Sequence, residues 1–191
     1  MDQRVVTADP SALIAEISRL RGEVARLESR VEELDRLANM DTFVPVANRR
    51  GLIVHLDMMI ARFERHGTPA ALLFVDVDGL KALNDTFGHS AGDAALIHLT
   101  ETMIASVRQT DMVARIGGDE FAILLDHADE DSARETAARL ADQVADCEFC
   151  FEGTCLPLSI AIGFTPVQQG DSPLSVMDRA DEAMYRHKDA A

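Results

Sequence analysis

Residues 112–125 read Met112-Val-Ala-Arg-Ile-Gly117-Gly118-Asp119-Glu120-Phe-Ala-Ile-Leu-Leu125. Two largely apolar segments, 112–116 and 120–125, are joined here through a Gly-Gly pair, a pattern typical of a β-hairpin. Glycines at a hairpin tip reach backbone angles closed to other residues and let a ligand approach without a Cβ in the way. Two carboxylates follow that bare backbone, so the turn is a candidate site. An ordinary turn with a charged rim explains the same residues when they are taken alone.

A second acidic motif ends the most apolar run in the chain. Residues 70–75 are all apolar and lead into Asp76-Val77-Asp78. Alternation along a strand places Asp76 and Asp78 on one face. Carboxylates at a strand end suit Mg²⁺, which prefers oxygen ligands. The other reading of one such aspartate is a cap on the following helix.

Strand and helix patterns alternate on both sides of these motifs. Besides the hairpin and a strand over 70–76, the patterns predict helices over 47–66, 78–86, 91–107, 132–145 and 175–188, and a late hairpin of 148–151 with 156–164. Hairpins mixed with helices indicate an α+β domain, with a central, mostly antiparallel sheet surrounded by helices.

An a/d heptad seam precedes this domain, and no glycine or proline occupies it. Its residues are Leu13, Ile17, Leu20, Val24, Leu27, Val31, Leu34 and Ala38. β-Branched residues at a with leucine at d favour a parallel two-stranded coiled coil. A single amphipathic helix packed on its own domain is the alternative, although it would show a wider apolar stripe. We therefore expect a dimerisation helix over residues 1–39 and a second domain over residues 40–191.

Charge and composition exclude several classes of function. A net charge of −15 argues against a binder of a nucleic-acid polymer, which needs a basic face. It permits a nucleotide triphosphate, provided that divalent cations lie between phosphates and carboxylates. The sequence shows neither the roughly 20 consecutive apolar residues of a membrane span nor a signal-peptide pattern, so we expect no membrane association.

Three cysteines, at positions 147, 150 and 155, are not a disulfide framework and favour a reducing, cytoplasmic location. Cys147 and Cys150 form a C-x-x-C pair, but a structural zinc needs four ligands and no second pair follows. We interpret the three cysteines as small apolar residues of the late hairpin.

Four ordered motifs together resemble those of the GGDEF family of diguanylate cyclases. They are Gly117–Phe121, the stretch DVDGLKALNDTFGHSAGD over residues 76–93, Leu158–Gly163 and Ala180–Lys188, and the match extends over residues 40–188. The resemblance implies a GGDEF (nucleotidyl cyclase-like) fold and an enzyme that condenses two GTP into cyclic di-GMP and two pyrophosphates. Each domain would bind one GTP, so a homodimer would bring two domains face to face.

The resemblance also implies the roles of individual residues. The catalytic motif would consist of Gly117, Gly118, Asp119 and Glu120, and two Mg²⁺ or Mn²⁺ ions per active site would be held by Asp76, the Val77 carbonyl and Glu120. Residues that would bind GTP are Leu80, Lys81, Asn84, Asp93 and Lys188. Asn84 and Asp93 would read guanine, because a carboxylate accepts from N1–H and the 2-amino group together. Taken alone, these two residues also read as helix caps, and Lys81 as a solvated side chain.

Arg108-Gln-Thr-Asp111 resembles the family's inhibitory site for its product, cyclic di-GMP, with Arg139 as a further contact. Arginine grips the O6/N7 edge of guanine bidentately. A local Arg–Asp pair at a helix end is the other reading. The alternative function for the whole chain is a catalytically silent module that binds cyclic di-GMP and signals to a partner. The intact acids at Asp76, Asp119 and Glu120 favour the enzyme.

One segment departs from the family pattern. Residues 41–50 read Asp41-Thr-Phe-Val44-Pro45-Val-Ala-Asn-Arg-Arg50, where the family has Thr-Gly in place of Val44-Pro45. Proline locks φ, so we expect a changed joint between the helix and the domain, with the metal site unaffected.

Overall fold

The computed structural model describes residues 10–188, without the side chains of Pro10 and His187. The helices are α1 (Pro10–Asn39), α2 (Arg49–His66), α3 (Leu80–Phe87), α4 (His89–Ser106), α5 (Glu130–Asp146) and α6 (Pro173–Lys188). The strands are β1 (Ala47–Asn48), β2 (Ala70–Val77), β3 (Met112–Arg115), β4 (Glu120–Asp126), β5 (Phe149–Phe151), β6 (Thr154–Leu156) and β7 (Ile160–Pro166).

The chain divides into two compact units, the first ending at Ala38 and the second beginning at Asn39. The described residues of the first unit, 10–38, all belong to α1. Its heptad positions from Leu13 to Leu34 are 46–64% exposed in the single chain. None of the helices within residues 10–188 has the length and apolarity needed to cross a membrane.

The second unit is built on a five-stranded sheet of order β1-β3-β4-β2-β7. Every neighbouring pair is antiparallel except β1 with β3. The predicted α+β fold with a mostly antiparallel sheet is therefore confirmed. The strongest apolar run, β2, occupies a position between two partners and is buried on both faces.

Alternate residues of the strands feed two cores, one on each face of the sheet. On one face Leu73, Val75 and Ile123 pack with residues of α4 and α5. On the other face Leu72 and Leu124 pack with residues of α2 and α6. This two-sided burial explains why β2 is apolar at every position instead of alternating.

Capping residues set the ends of the long helices. The Asn48 side chain accepts a hydrogen bond from Gly51 N–H at the start of α2, and Asp129 accepts one from Ser132 N–H at the start of α5. Such caps satisfy backbone donors that have no partner inside the helix. Helix α2 ends at His66 and is capped by Gly67, whose φ of 66° is the left-handed conformation that glycine adopts without strain.

The late hairpin differs from the predicted one. The stretch 156–164, expected as one strand, is two: β6 ends at Leu156 and pairs with β5, whereas β7 begins at Ile160 and pairs with β2. Pro157 lies between them and has no N–H to continue a ladder. Cys150 and Cys155 lie opposite each other in β5 and β6 and form a disulfide, so their interpretation as reduced apolar residues is wrong.

Candidate metal and nucleotide site

Two acids from separate motifs meet at one end of the sheet. In the antiparallel pair of β2 and β4, Asp76 lies directly opposite Glu120. Like charges at directly opposed positions destabilise a sheet. The fold therefore retains an unfavourable pair of carboxylates at the end of its most buried strand, an arrangement that a bound cation would relieve.

The pKa of the Glu120 carboxyl is raised above its ordinary value. Partial burial is the main cause, and the negative charges of Asp119, Asp181 and Asp76 act in the same direction. Arg49 opposes them. Asp181 comes from α6, where it follows the buried Ala180 but is itself exposed, and no sequence pattern predicted it near the turn.

Lys188 brings a positive charge to the same place. Its Nζ donates to Asp76 Oδ1 at 2.5 Å and lies 4.0 Å from Asp78 Oδ1. The hydrogen bond to Asp76 raises the pKa of Lys188 above its ordinary value. The predicted phosphate contact thus lies against the predicted metal ligand, 112 residues away in the chain.

Backbone hydrogen bonds hold the Gly-Gly turn against the end of β2. The N–H groups of Ile116 and Gly117 both donate to Glu120 O, and Val77 N–H donates to Asp119 O at 3.0 Å. A Cβ added at Gly117 would lie 2.5 Å from Glu120 Oε2, so glycine leaves the carboxylate its place. Oxygen donors, excess negative charge and a bare turn fit a divalent cation.

Asp78 does not cap α3. The N-cap position of α3 is occupied by Gly79, with a φ of 67°, and no side chain caps the helix there. Asp78 instead accepts a hydrogen bond from Ser159 Oγ at 2.9 Å, and its N–H donates to Ser159 O at 3.0 Å. The capping reading of Asp78 is therefore wrong, and Asp76 is the one of the two aspartates that faces Glu120.

The residues predicted to read guanine come together between α3 and α4. Asn84 lies inside α3, and its side chain packs so closely on Gly92 that a Cβ there would overlap the Asn84 oxygen. Asp93 follows Gly92 and is exposed. Neither residue caps a helix, because Gly88 occupies the cap position between α3 and α4.

The other side chains of this region differ in their accessibility. Asn84 Oδ1 is buried and has no hydrogen-bond partner among the described residues, as expected of a group that awaits a ligand. Lys81 is exposed on α3. Leu80 is only 8% exposed and belongs to the core, so it supports this region from beneath.

Arg115 is a residue that sequence reasoning missed. Its Nη2 donates to Gly118 O at 2.7 Å, and its Nη1 lies 3.6 Å from Asp41 Oδ1. Its guanidinium also stacks over the Phe43 ring. Arg115 therefore ties the Gly-Gly turn to residues 41–43. Its place two residues before Gly117 was the available signal.

Arg108 and Asp111 form a tight turn without an ion pair between their side chains in the described structure. Asp111 accepts instead from the backbone N–H of Arg108 at 2.9 Å and from that of Asp126 at 3.0 Å. The reading as a local Arg–Asp side-chain pair is therefore wrong. The carboxylate of Asp111 is held in place by two backbone donors.

Arg108, Asp111 and Arg139 line one cavity of about 180 Å³. Arg139 is anchored by a hydrogen bond from Nη2 to Ser106 O at 3.0 Å. The cavity is smaller than the roughly 300–1,000 Å³ of a site that encloses a whole ligand. It has room for part of a nucleotide between two arginines.

Comparison with known proteins identifies the family to which the chain belongs. The family described as "Diguanylate cyclase, GGDEF domain" matches residues 38–191. Diguanylate cyclase DgcP of Pseudomonas aeruginosa is 31% identical over 188 residues, and diguanylate cyclase DosC of Escherichia coli is 36% identical over 156 residues. These alignments cover 98% and 81% of this chain but only 28% and 34% of the two relatives.

Among solved structures, the coiled coil and GGDEF domain of DgcB from Caulobacter crescentus, in complex with c-di-GMP, matches with a TM-score of 0.83 and 28% identity. The match covers 94% of this chain and 96% of that one. Diguanylate cyclase SiaD from Pseudomonas aeruginosa, in complex with its activator SiaC, matches with a TM-score of 0.77 over 95% of this chain and 73% of that one.

Proposed function

The chain belongs to the GGDEF family of diguanylate cyclases, and from that premise we propose that it condenses two GTP molecules into cyclic di-GMP and two pyrophosphates. The observation that carries the proposal is the opposition of Asp76 and Glu120 beside the bare Gly117-Gly118 turn. Lys188 neutralises part of the charge of Asp76, and a divalent cation between the two carboxylates would relieve the remaining repulsion.

The metal ligands in this proposal are Asp76, the Val77 carbonyl and Glu120, with Asp119 as the adjacent acid. Two Mg²⁺ or Mn²⁺ ions bound there would neutralise the triphosphate and favour ionisation of the attacking 3′-hydroxyl. The turn itself does not need to move, because Glu120 O and Asp119 O already fix its backbone. Arg115 holds the Gly118 carbonyl and so restricts the turn further.

Lys188 and Lys81 are the proposed phosphate contacts. Lys188 lies against Asp76, within reach of a triphosphate held at that acid. A lysine is charged at neutral pH, as a phosphate ligand must be, and the hydrogen bond to Asp76 raises the pKa of Lys188 further. Lys81, exposed one turn before Asn84 on α3, is free to extend toward the same triphosphate.

Guanine specificity is assigned to Asn84 and Asp93. The buried, unpartnered oxygen of Asn84 is an acceptor for a donor of the base. The Asp93 carboxylate accepts from N1–H and the 2-amino group, whereas adenine offers no such pair of donors. Leaving these acceptors unpaired penalises the wrong base strongly.

The reaction needs two domains, and we assign their pairing to α1. Its apolar heptad positions are about half exposed in the single chain, so a partner helix would bury them. Two domains tethered in one dimer meet at an effective concentration of roughly millimolar order for a short linker. Each 3′-hydroxyl then attacks the α-phosphate of the nucleotide on the partner domain.

Product inhibition is assigned to Arg108, Asp111 and Arg139. Their convergence on one cavity supports this assignment, and the DgcB structure contains the same product molecule. The two arginines offer bidentate donors to guanine, and the fixed Asp111 carboxylate offers an acceptor.

Incubation of the purified chain with GTP and Mg²⁺, followed by chromatography, tests the proposal. We expect cyclic di-GMP and pyrophosphate from the wild type and neither from Glu120→Gln. Glu101→Gln, at an exposed acid of α4, is the matched control and should retain activity. Absence of product in the wild type, together with tight binding of added cyclic di-GMP, would favour the silent module instead.

A further inference from the structure

The β5–β6 hairpin carries a disulfide on its solvent side. Cys150 and Cys155 are opposed in the ladder, and both are exposed. We propose that this pair is a reversible thiol–disulfide site that reacts with small thiols of the glutathione type and controls the order of the hairpin. Exposed disulfides are more readily reduced than buried ones and belong to the labile or regulatory class.

The chemistry balances with the small thiol alone. A thiolate attacks the sulfur of one cysteine, the S–S bond breaks, and the other cysteine leaves as a thiolate and takes up a proton. A second small thiol then attacks the mixed disulfide, which releases a small disulfide and the second cysteine thiol. Two electrons pass to the protein; the small disulfide reverses both steps.

The cross-link adds to a short ladder and to the packing of Phe149, Phe151 and Leu156 on the core. Each strand has three residues, and the two form a separate two-stranded sheet. Isolated two-stranded hairpins are marginally stable. The turn includes Glu152 at φ 48°, a left-handed conformation that costs free energy for a residue other than glycine. A disulfide offsets these costs by restricting the open chain.

The third cysteine stands apart from the exchange. Cys147 is a free, partly buried thiol, and its Sγ lies 3.1 Å from His98 Nε2 on α4. The next hairpin residue, Phe149, packs its ring 5.5 Å from that of His98. These contacts join the base of the hairpin to α4, and Cys147 is not needed to open or close the cross-link.

The hairpin also joins two elements of the nucleotide site, and this step rests on the proposed function. Helix α4 carries Asp93 as well as His98. After β6, the chain continues from the hairpin to Ser159, which forms two hydrogen bonds with Asp78. Disorder of the hairpin therefore loosens support on both sides, and we expect the reduced protein to bind GTP more weakly.

Thiol counting tests the site directly. The full chain is equilibrated in mixtures of reduced and oxidised glutathione, alkylated and weighed by mass spectrometry. We expect one alkylated cysteine under oxidising and three under reducing conditions, and Cys147→Ser should lower each count by one. Three alkylated thiols in oxidising buffer, glutathione adducts in place of the cross-link, or a cross-link that survives excess glutathione would each overturn the proposal.

Hydrogen exchange and nucleotide binding test the consequence. Amides of residues 149–156 should exchange at least about tenfold faster after reduction, with those of α6 unchanged. The Cys150→Ser/Cys155→Ser variant should behave as the reduced protein in either buffer. A non-hydrolysable GTP analogue with Mg²⁺ should bind about two- to tenfold more weakly after reduction. Unchanged exchange, or equal affinity in the two states, would refute the control of order. Failure of the analogue to bind either state would count against the proposed function, leaving the thiol counts valid.

Discussion

Glu120→Gln separates the charge of the metal site from its shape. Glutamine preserves the length of the side chain and removes the negative charge opposite Asp76. In the absence of metal the substitution relieves a repulsion between directly opposed carboxylates. We therefore expect an inactive variant that is more stable than the wild type, which is the reverse of the usual effect of a substitution in a sheet.

The size of the gain follows from the position of the pair. A charged cross-strand pair changes the free energy of unfolding by about 0.2–1 kcal/mol, so removing a repulsive pair should stabilise the protein by an amount of that order. A change of 1 kcal/mol shifts Tm by roughly 2–4 °C in a protein of this size. Without metal, Glu120→Gln should accordingly have a Tm up to about 4 °C above that of the wild type. The control Glu101→Gln should have the same Tm as the wild type.

The pH dependence has a definite sign. The pKa of Glu120 is raised in the folded protein by burial and by Asp119, Asp181 and Asp76. Folding thus favours the protonated carboxyl, and this stabilisation is complete below the unfolded pKa and disappears as pH rises through the folded pKa. The two proteins should differ little below about pH 4, where both states are protonated, and most at neutral pH.

Thermal melts in EDTA and in Mg²⁺, recorded from about pH 3 to 8, check both expectations. Mg²⁺ should raise the Tm of the wild type, because a ligand that binds the folded state stabilises it by mass action, and should leave Glu120→Gln nearly unchanged. A metal-free variant less stable than the wild type at neutral pH would refute the argument from repulsion. Equal stabilisation of both proteins by Mg²⁺ would remove Glu120 from the metal site.

Three further substitutions address the other proposed features. Arg108→Ala should weaken binding of cyclic di-GMP by roughly five- to a hundredfold in calorimetric titrations, because a bidentate contact is worth about 1–3 kcal/mol. The neighbouring substitution Gln109→Ala is the control. Unchanged affinity of Arg108→Ala would refute the inhibitory assignment. Gly92→Ala places a methyl group on the Asn84 oxygen and should lower GTP affinity at least about tenfold in a direct binding assay, while Ser90→Ala should not. Replacing both Leu20 and Leu27 with glutamate should convert the dimer to a monomer in light scattering and make activity dependent on protein concentration. Glutamate at the outer heptad positions Ser29 and Arg36 should have neither effect. A monomeric wild type would contradict the coiled coil.

Local patterns were sufficient where the structure depends on neighbours in the chain. The unbroken apolar run predicted a strand over residues 70–76, and the ends of β2 agree with it to within one residue. The hairpin around Gly117 and Gly118 formed as expected, with β3 and β4 in register from Met112 opposite Leu124. The prediction of one strand over residues 156–164 failed at Pro157. The apolar pattern is continuous across this residue, but β6 and β7 pair with different strands, which only the rest of the fold determines.

By itself the sequence determined the family, the succession of elements and the types of residue available to the site, since all of these are written in periodicity and motif order. Only the tertiary structure decided which acids meet. Asp76 is opposed by Glu120 because β2 and β4 pair in one register, and a shift of one residue would turn the side chain to the other face. Lys188 reaches Asp76 across 112 residues, and Asp78 is held by Ser159 across 81. Such contacts arise because α6 and β7 pack against β2. The free energy of that packing is distributed over both hydrophobic cores, so no local sequence pattern predicts it.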